Sequence, residues 1–383
     1  MGPTAPASEV ALVRMAAQQI MKGRDELPAI TSIVLRKLAL PLIRPYRLSY
    51  RTFTTFEPFM VEVQDEAGRS GFADAHISPG SSLETRDGGW AFLLRHAQAA
   101  IGRDVNEVMA DLLGEFEQSK VATTSFVTAL EVLRKHPMLV LEHDSAHPLL
   151  TPVNSLEERD IEQELEQAIA EGFKTFKVKV GKDVGADLAR VAVIQRATAG
   201  KATLRLDANR AYSRAQALAF AQGLNPEGIE LFEQPCEADE WEANGAVAAV
   251  SPVPLMLDEP ICTLDDIARA GDMPGVGYCK LKLKRFGGLD RLRAGMDAVR
   301  AHGMQPVLGD GLGSETHAWL EACVARHTLD NAGEFNGFLK PHSRLFENSL
   351  PFAQGTITLP AGYWPKLDLA TVERLTAESV TFR

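Results

Sequence analysis

Beyond Pro148 the chain settles into a repeat of short apolar strand and amphipathic helix, and five charged residues recur in it at nearly constant intervals. Lys179 precedes Asp207 by 28 positions, Asp207 precedes Glu233 by 26, Glu233 precedes Asp258 by 25, and Asp258 precedes Lys282 by 24. Each closes an apolar run, from Phe176-Lys177-Val178-Lys179 to Tyr278-Cys279-Lys280-Leu281-Lys282. A barrel of roughly 250 residues has about 30 per βα unit, so this spacing places each charge at the C-terminal end of one strand, the face where barrel enzymes keep their active sites. With Leu149 to Val153 before these runs, and Gln305 to Leu308 and Ala332 to Asn336 after them, eight strands separated by helices are expected. That is an α/β chain forming a (β/α)8-type barrel, a modified TIM barrel. A doubly wound sheet fits less well, because no GxGxxG turn follows the first strand.

Ahead of the repeat the rhythm differs. Ile33-Val34-Leu35, Leu38-Ala39-Leu40 (stopped by Pro41), Tyr46 to Tyr50 and Phe59 to Val63 read as an antiparallel meander, and helical periodicity runs from about Trp90 to Leu141. These make a small α+β module. The tail from about Phe352, with Thr356 to Leu359 as a strand, is expected to pack back on it. The expected divisions are an extension at 1–27 without assigned function, the α+β module at 28–145, the barrel at 146–350, and the returning segment at 351–383.

The strand around Lys177 breaks a packing rule. Phe176, Val178 and Val180 alternate with Lys177 and Lys179, whereas strands of a parallel sheet covered by helices are apolar on both faces. Two ammonium groups on the inner face need compensation, and Asp207, Glu233 and Asp258 on neighbouring strands supply it. Three converging carboxylates repel one another unless a cation intervenes, and an all-oxygen set suits a hard ion such as Mg2+. For any one of them a helix cap or salt bridge is the simpler account; in register together they read as ligands. Glu259 is adjacent to Asp258 and is an alternative ligand. Lys179 and Lys282 are four strands apart and face each other across the barrel. Burial, a nearby divalent cation and the neighbouring Lys177 or Lys280 would push an amine below its free value of about 10.4, leaving one lysine as base and the other as acid. Lys177 is assigned a supporting electrostatic role.

Composition excludes several classes. A net charge of −11 argues against a nucleic-acid surface. No apolar run approaches the ~18 residues of a membrane span, and Arg14 interrupts the apolar stretch near the start, unlike a signal peptide. Cys236, Cys262, Cys279 and Cys323 lack CxxC spacing, so neither zinc nor disulfides are suggested. A reduced, cytoplasmic protein is expected, working as a homo-oligomer.

The ordered set Lys177-Val178-Lys179, Leu206-Asp207-Ala208-Asn209, Phe232-Glu233-Gln234-Pro235, Leu257-Asp258-Glu259-Pro260 and Lys282-Leu283-Lys284-Arg285-Phe286-Gly287-Gly288-Leu289 resembles the enolase superfamily. It most resembles the muconate-lactonizing-enzyme-like, two-lysine subgroup of the mandelate racemase/muconate lactonizing enzyme group. The resemblance makes the α+β module a capping domain. It implies Mg2+ (with Mn2+ as a substitute), abstraction of the proton α to a carboxylate and stabilisation of the resulting enediolate, for which the superfamily uses a lysine or histidine base. It assigns Asp207, Glu233 and Asp258 as ligands and Lys179 and Lys282 as the acid/base pair. A histidine base after the seventh strand is disfavoured, since His302 and His317 are badly placed for it.

The chain also departs from the subgroup. The glutamate often found after strand seven is replaced by Gly309-Asp310-Gly311-Leu312-Gly313-Ser314-Glu315, where Asp310 or Glu315 could take its function. Phe72-Ala73-Asp74-Ala75 stands where the subgroup has Gly-Glu-Ala, and Pro360-Ala361-Gly362-Tyr363-Trp364-Pro365 where it has Pro-Gly-Leu-Gly. Candidate substrate contacts are Asn209, Arg47 (with Arg44 and Arg51 nearby) as a carboxylate clamp, Asp310, and Glu334 with Asn336 on one face of strand eight; Gly80-Ser81-Ser82 would be a lid hinge. The expected function is a racemase or epimerase of a small carboxylate, amino-acid-derived ones included. A dehydratase or cycloisomerase on the same scaffold is the alternative, and a non-catalytic binding barrel the rival of another class.

Overall fold

The computed structural model describes residues 28–47, 51–79 and 84–383. The extension 1–27 and the hinge segment Gly80-Ser81-Ser82 lie outside the described residues.

The first five strands are β1 (Ile30–Leu38), β2 (Leu40–Arg47), β3 (Thr52–Phe56), β4 (Phe59–Asp65) and β5 (Ser70–Ala75). Pro41 does not stop a strand as expected. It lies within β2, half of the two-stranded β2–β3 sheet, and its carbonyl accepts from His342 N at 2.9 Å. An edge position of this kind tolerates the missing N–H of proline. Three helices follow: α1 (Arg86–Ala100), α2 (Val105–Gly114) and α3 (Lys120–Leu133). α3 is buried along nearly its whole length and packs on β4 and β5. The C-terminal strand Thr376–Phe382 pairs antiparallel with β1, so the cap sheet is completed by the end of the chain. Thr356–Leu359 is a strand as expected, paired with Ser145–Pro148 (β6) at the junction of cap and barrel.

The repeat forms seven parallel strands in simple sequential order: β7 (Thr151–Val153), β8 (Thr175–Lys179), β9 (Thr203–Asp207), β10 (Ile229–Glu233), β11 (Leu255–Leu257), β12 (Val276–Leu281) and β13 (Gln305–Leu308). Helices connect them, including α4 (Glu158–Ala170), α5 (Val184–Thr198), α6 (Arg214–Gly223), α7 (Trp241–Val250) and α8 (Leu264–Gly271). A capping box from Ser213 opens α6 and another from Thr263 opens α8. The short helix α9 (Leu283–Phe286) and then α10 (Leu289–Ala301) follow β12, and α11 (Glu315–Ala325) follows β13. Strand residues pointing outward, such as Phe176 and Val178, are buried in the main apolar core. Leu231, Met256 and Val307 form a separate small apolar cluster.

The expected eighth strand differs. Residues 332–336 make no regular strand; a single bridge joins Gly333 to Leu149. Glu334 N donates to Leu308 O at 2.8 Å and Leu150 N to Gly333 O at 3.0 Å, so this irregular segment links β13 to the chain entering β7. Gly309, just past β13, has φ +122°, and a Cβ there would lie 2.3 Å from Phe335 N. Only glycine permits that backbone approach. No helix among the described residues is long and apolar enough to cross a membrane.

Candidate active site

The register of the sheet brings the charged strand ends together. Lys179 pairs with Asp207 and Asp207 with Glu233, while Asp258 follows β11 directly and Lys282 follows β12. Between them lies a cavity of about 200 Å³ lined by Lys177, Lys179, Asp207, Asp258, Lys282 and Glu334, among others. Asn209, Glu259 and Asp310 also line it. Glu233 is fully buried beneath.

On one side Lys177 Nζ lies 2.8 Å from Asp207 Oδ2, 2.8 Å from Glu233 Oε2 and 2.7 Å from Glu334 Oε1. Lys179 Nζ is 2.5 Å from Asp207 Oδ2 and donates to Asn209 Oδ1 at 2.5 Å. Asp207 Oδ1 accepts from Asn209 N at 2.8 Å. The backbone turns sharply to allow this: Asn209, Arg210 and Gln234 all have positive φ, of 43°, 67° and 38°. Non-glycine residues seldom adopt this region, and clusters of them accompany functional sites. The Gln234 side chain in turn accepts from Asp258 N at 2.9 Å, tying the ends of β10 and β11 together.

On the opposite side Lys282 Nζ lies 2.9 Å from Asp258 Oδ2, and Arg285 Nη1 2.9 Å from Asp258 Oδ1. Glu259 faces Arg210 instead, at 3.3 Å. Lys284 pairs with Asp310, and Lys280 with Glu334. Asp310 is at the cavity wall; Glu315 is not, since its carboxylate accepts from Leu345 N, Phe346 N and Leu350 N.

Electrostatics follows from these partners. Burial opposes the charge on Asp207, but Lys177 and Lys179 outweigh it and hold the carboxyl below its ordinary value. Burial likewise opposes charge on Asp258, yet Lys282 and Arg285 hold it well below. Burial and the neighbouring Asp207 push Glu233 up, and burial with Asp258 pushes Glu259 up to about 7. Lys282 is raised here, not lowered. Burial pulls Lys282 down, as does Arg285, but Asp258, Asp310 and Glu259 more than reverse this and raise it to about 12. Burial is reversed for Lys177 too, by Asp207, Glu233 and Glu334. Carboxylates, not cations, are the nearest neighbours of these amines.

Two expected substrate contacts are elsewhere. Arg47 is exposed and does not line the cavity; side chains alternate along β2, and it is Tyr46 that points in. Arg44 lines a neighbouring cavity of about 340 Å³, and Arg51 stacks on Phe53 at 5.0 Å. Asn336 also faces that neighbouring cavity, its Nδ2 donating to Leu150 O at 2.9 Å, so Glu334 and Asn336 do not act on one face of a strand. The irregular backbone of the closing segment separates them. Sequence reading missed Tyr46 and Arg285. The helical spacing of three from Lys282 puts Arg285 on the lysine's side; nothing in the pattern of β2 distinguishes Tyr46 beyond alternation.

The donor set fits a hard divalent cation in kind. Neither oxygen of Glu233 nor Oδ1 of Asp258 accepts a directed hydrogen bond, although all are buried. Among the described residues no group of three His, Cys, Asp or Glu is disposed to hold an ion as it stands. Asp207 and Glu233 are drawn onto Lys177, and Asp258 onto Lys282 and Arg285.

The chain is similar in sequence and fold to several known proteins. Muconate cycloisomerase 1 of Rhodococcus opacus is 27% identical over 366 residues, covering 87% of this chain and 94% of that protein. The L-Ala-D/L-Glu epimerase of Clostridium acetobutylicum is 27% identical over 297 residues, 73% of this chain and 82% of that protein. The crystal structure of a dipeptide epimerase from Cytophaga hutchinsonii, complexed with Mg and the dipeptide D-Ala-L-Val, superposes with a TM-score of 0.83 at 20% identity, covering 93% of this chain and 100% of that one. A family model described as enolase C-terminal domain-like matches residues 160–363. The chain therefore belongs to the enolase C-terminal domain-like family, within the mandelate racemase/muconate lactonizing enzyme group of the enolase superfamily.

Proposed function

We propose that this protein is a Mg2+-dependent racemase or epimerase of a small carboxylate, with Lys179 and Lys282 as its two proton-transferring groups. The observation that carries this is their placement: one lies at the end of β8 and the other just after β12, four strands apart in sheet order, and both line one cavity. Asp207, Glu233 and Asp258 would hold the cation, which supplies Lewis-acid stabilisation of negative charge on the substrate carboxylate. Asp258 is preferred over Glu259 because Glu259 is turned toward Arg210.

A neutral Nζ on one lysine takes the α-proton; the C–H electron pair stays with the substrate. An ammonium Nζ on the other lysine returns a proton to the opposite face of the same carbon, inverting it. The donor has become the base for the reverse reaction, so the two directions use the same pair in exchanged roles. Lys177, held by three carboxylates, keeps positive charge beside Lys179. Asn209 fixes the direction of the Lys179 amine by accepting from it. Tyr46 of the cap and Leu312 of the loop after β13 line the cavity, where they would exclude water.

A second reading is cycloisomerisation or dehydration, in which the same abstraction is followed by loss of a β-substituent; the similarity to a muconate cycloisomerase favours keeping it. The test is 1H NMR of L-Ala-L-Glu, L-Ala-D-Glu and a wider panel of dipeptides, N-acyl amino acids and muconolactone in D2O with Mg2+. Deuterium entering the α-position, with inversion, supports the first reading; elimination products support the second; no exchange across the panel counts against both.

A further inference from the structure

Buried carboxylates outside the cavity are unusual enough to be questioned individually. Glu321, on α11, is fully buried, and its Oε1 accepts from Leu283 N at 3.1 Å. Leu283 directly follows Lys282, and no side chain nearby in sequence takes that N–H. His317, one helical turn before Glu321, is also buried, with Nε2 3.7 Å from Glu321 Oε1. The other ring nitrogen, Nδ1, lies 3.2 Å from the backbone oxygen of Asp74 on cap strand β5. The chain of contacts runs from cap strand to imidazole to carboxylate to the peptide group behind Lys282. None of Asp74, His317 and Glu321 lines the cavity.

We propose that Glu321 is a positioning residue for Lys282, with His317 coupling it to the cap, so that docking of β5 on the barrel sets the direction of the Lys282 amine. This rests on the two-lysine reading for its functional consequence, though not for its geometry. A carboxylate acceptor on a buried N–H is a charge-assisted bond and holds its partner more tightly than a neutral one. His317 sits between Asp74 and Glu321, with Asp310 also near, and these carboxylates overcome its burial to raise it to about 9. An imidazolium there neutralises Glu321 without taking its hydrogen bond to Leu283. Only the Lys282 side of the cavity is served; Lys179 is fixed by Asp207 and Asn209 on β9 and the loop that follows it. The consequence is asymmetric, and a merely structural role for Glu321 would not be.

Two readouts separate these accounts in Glu321→Ala, Glu321→Gln and His317→Gln proteins, each checked for native circular dichroism. The first needs no turnover: acetic anhydride labelling of Lys282 relative to Lys179 in the same molecule, by peptide mass spectrometry. Glu321→Ala should change this ratio several-fold, up to about tenfold, as the anchoring bond is lost, while Glu321→Gln, which keeps an acceptor oxygen, stays near wild type. The second is D2O exchange on L-Ala-L-Glu and L-Ala-D-Glu: the epimer deprotonated by Lys282 should exchange about tenfold more slowly in Glu321→Ala at unchanged KM, and the other epimer at the wild-type rate. His317→Gln should shift both readouts in the same direction by less. An unchanged labelling ratio in Glu321→Ala, or equal slowing of both epimers, overturns the proposal. Wild-type protein that exchanges neither epimer would refute the assigned reaction on these substrates, and the labelling ratio would still decide the positioning of Lys282.

Discussion

Lys179 Nζ and Lys177 Nζ both rest on Oδ2 of Asp207, at 2.5 and 2.8 Å, so a proposed cation ligand shares one oxygen with a proposed proton-transferring amine. On the proposed ligand set, a divalent ion at Asp207 would weaken these contacts and so couple metal loading to the state of Lys179 through a single carboxylate.

Mg2+ should accordingly stabilise the folded protein. At about 100 times its dissociation constant an ion contributes on the order of 2.7 kcal/mol. Thermal unfolding with and without Mg2+ should show an upward Tm shift in wild type that Asp207→Asn abolishes. Asp258→Asn should abolish it as well, and Glu259→Gln should retain it. The reverse pattern at 258 and 259 would make Glu259 the third ligand.

The Lys284–Asp310 pair at the cavity wall is buried on both sides. Removing one partner strands a charge and costs about 3–5 kcal/mol. Denaturant unfolding should show Lys284→Met and Asp310→Asn each strongly destabilised. The double variant should recover much of that loss; simple additivity would mean the two side chains do not sense each other.

His317 gives the stability a pH dependence of definite sign. Its folded value of about 9 lies above the ordinary imidazole value of 6.5, so its contribution is fully present below 6.5 and is lost as pH rises through 9. The loss is on the order of 3 kcal/mol. Burial raises Glu131 to about 7 and Asp74 to about 6, and both act in the same direction at lower pH. Lys340, which burial lowers to about 7, acts in the opposite direction over this range, so the readout is the difference between proteins: in urea unfolding from pH 6 to 10, wild type should lose stability relative to His317→Gln as pH rises above 7. A profile unchanged by that substitution would remove His317 from the account.

Much of the fold and of the cavity is written in the spacing of the sequence. The regular intervals from Lys179 to Lys282 located the C-terminal strand ends, because the length of a βα unit is set by geometry that varies little. The positions of Asp207 and Asp258 at one cavity, with Glu233 buried beneath it, follow from the same spacing. What was not legible depends on contacts distant in sequence. The closing segment at 332–336 reads as a strand by alternation, but Gly309 packed against Phe335 and the bond from Glu334 to Leu308 give it an irregular path. That path sends Glu334 and Asn336 to different cavities. Lys177 has the supporting ion-paired role expected of it, while the rise at Lys282 comes from carboxylates on other strands that spacing alone does not bring together. Arg47 and Tyr46 differ by one position on β2, which is enough to exchange solvent for cavity.

In the proposed reaction two lysines serve opposite faces of one α-carbon. The direct measurement is α-proton exchange in D2O for each member of an epimer pair, comparing Lys179→Gln and Lys282→Gln with wild type in saturating Mg2+. Each variant should lose exchange of one epimer by about 10²–10⁴-fold, retain exchange of the other, and fail to interconvert them. Loss of both epimers' exchange in one variant, with the other variant still interconverting them, would contradict the account.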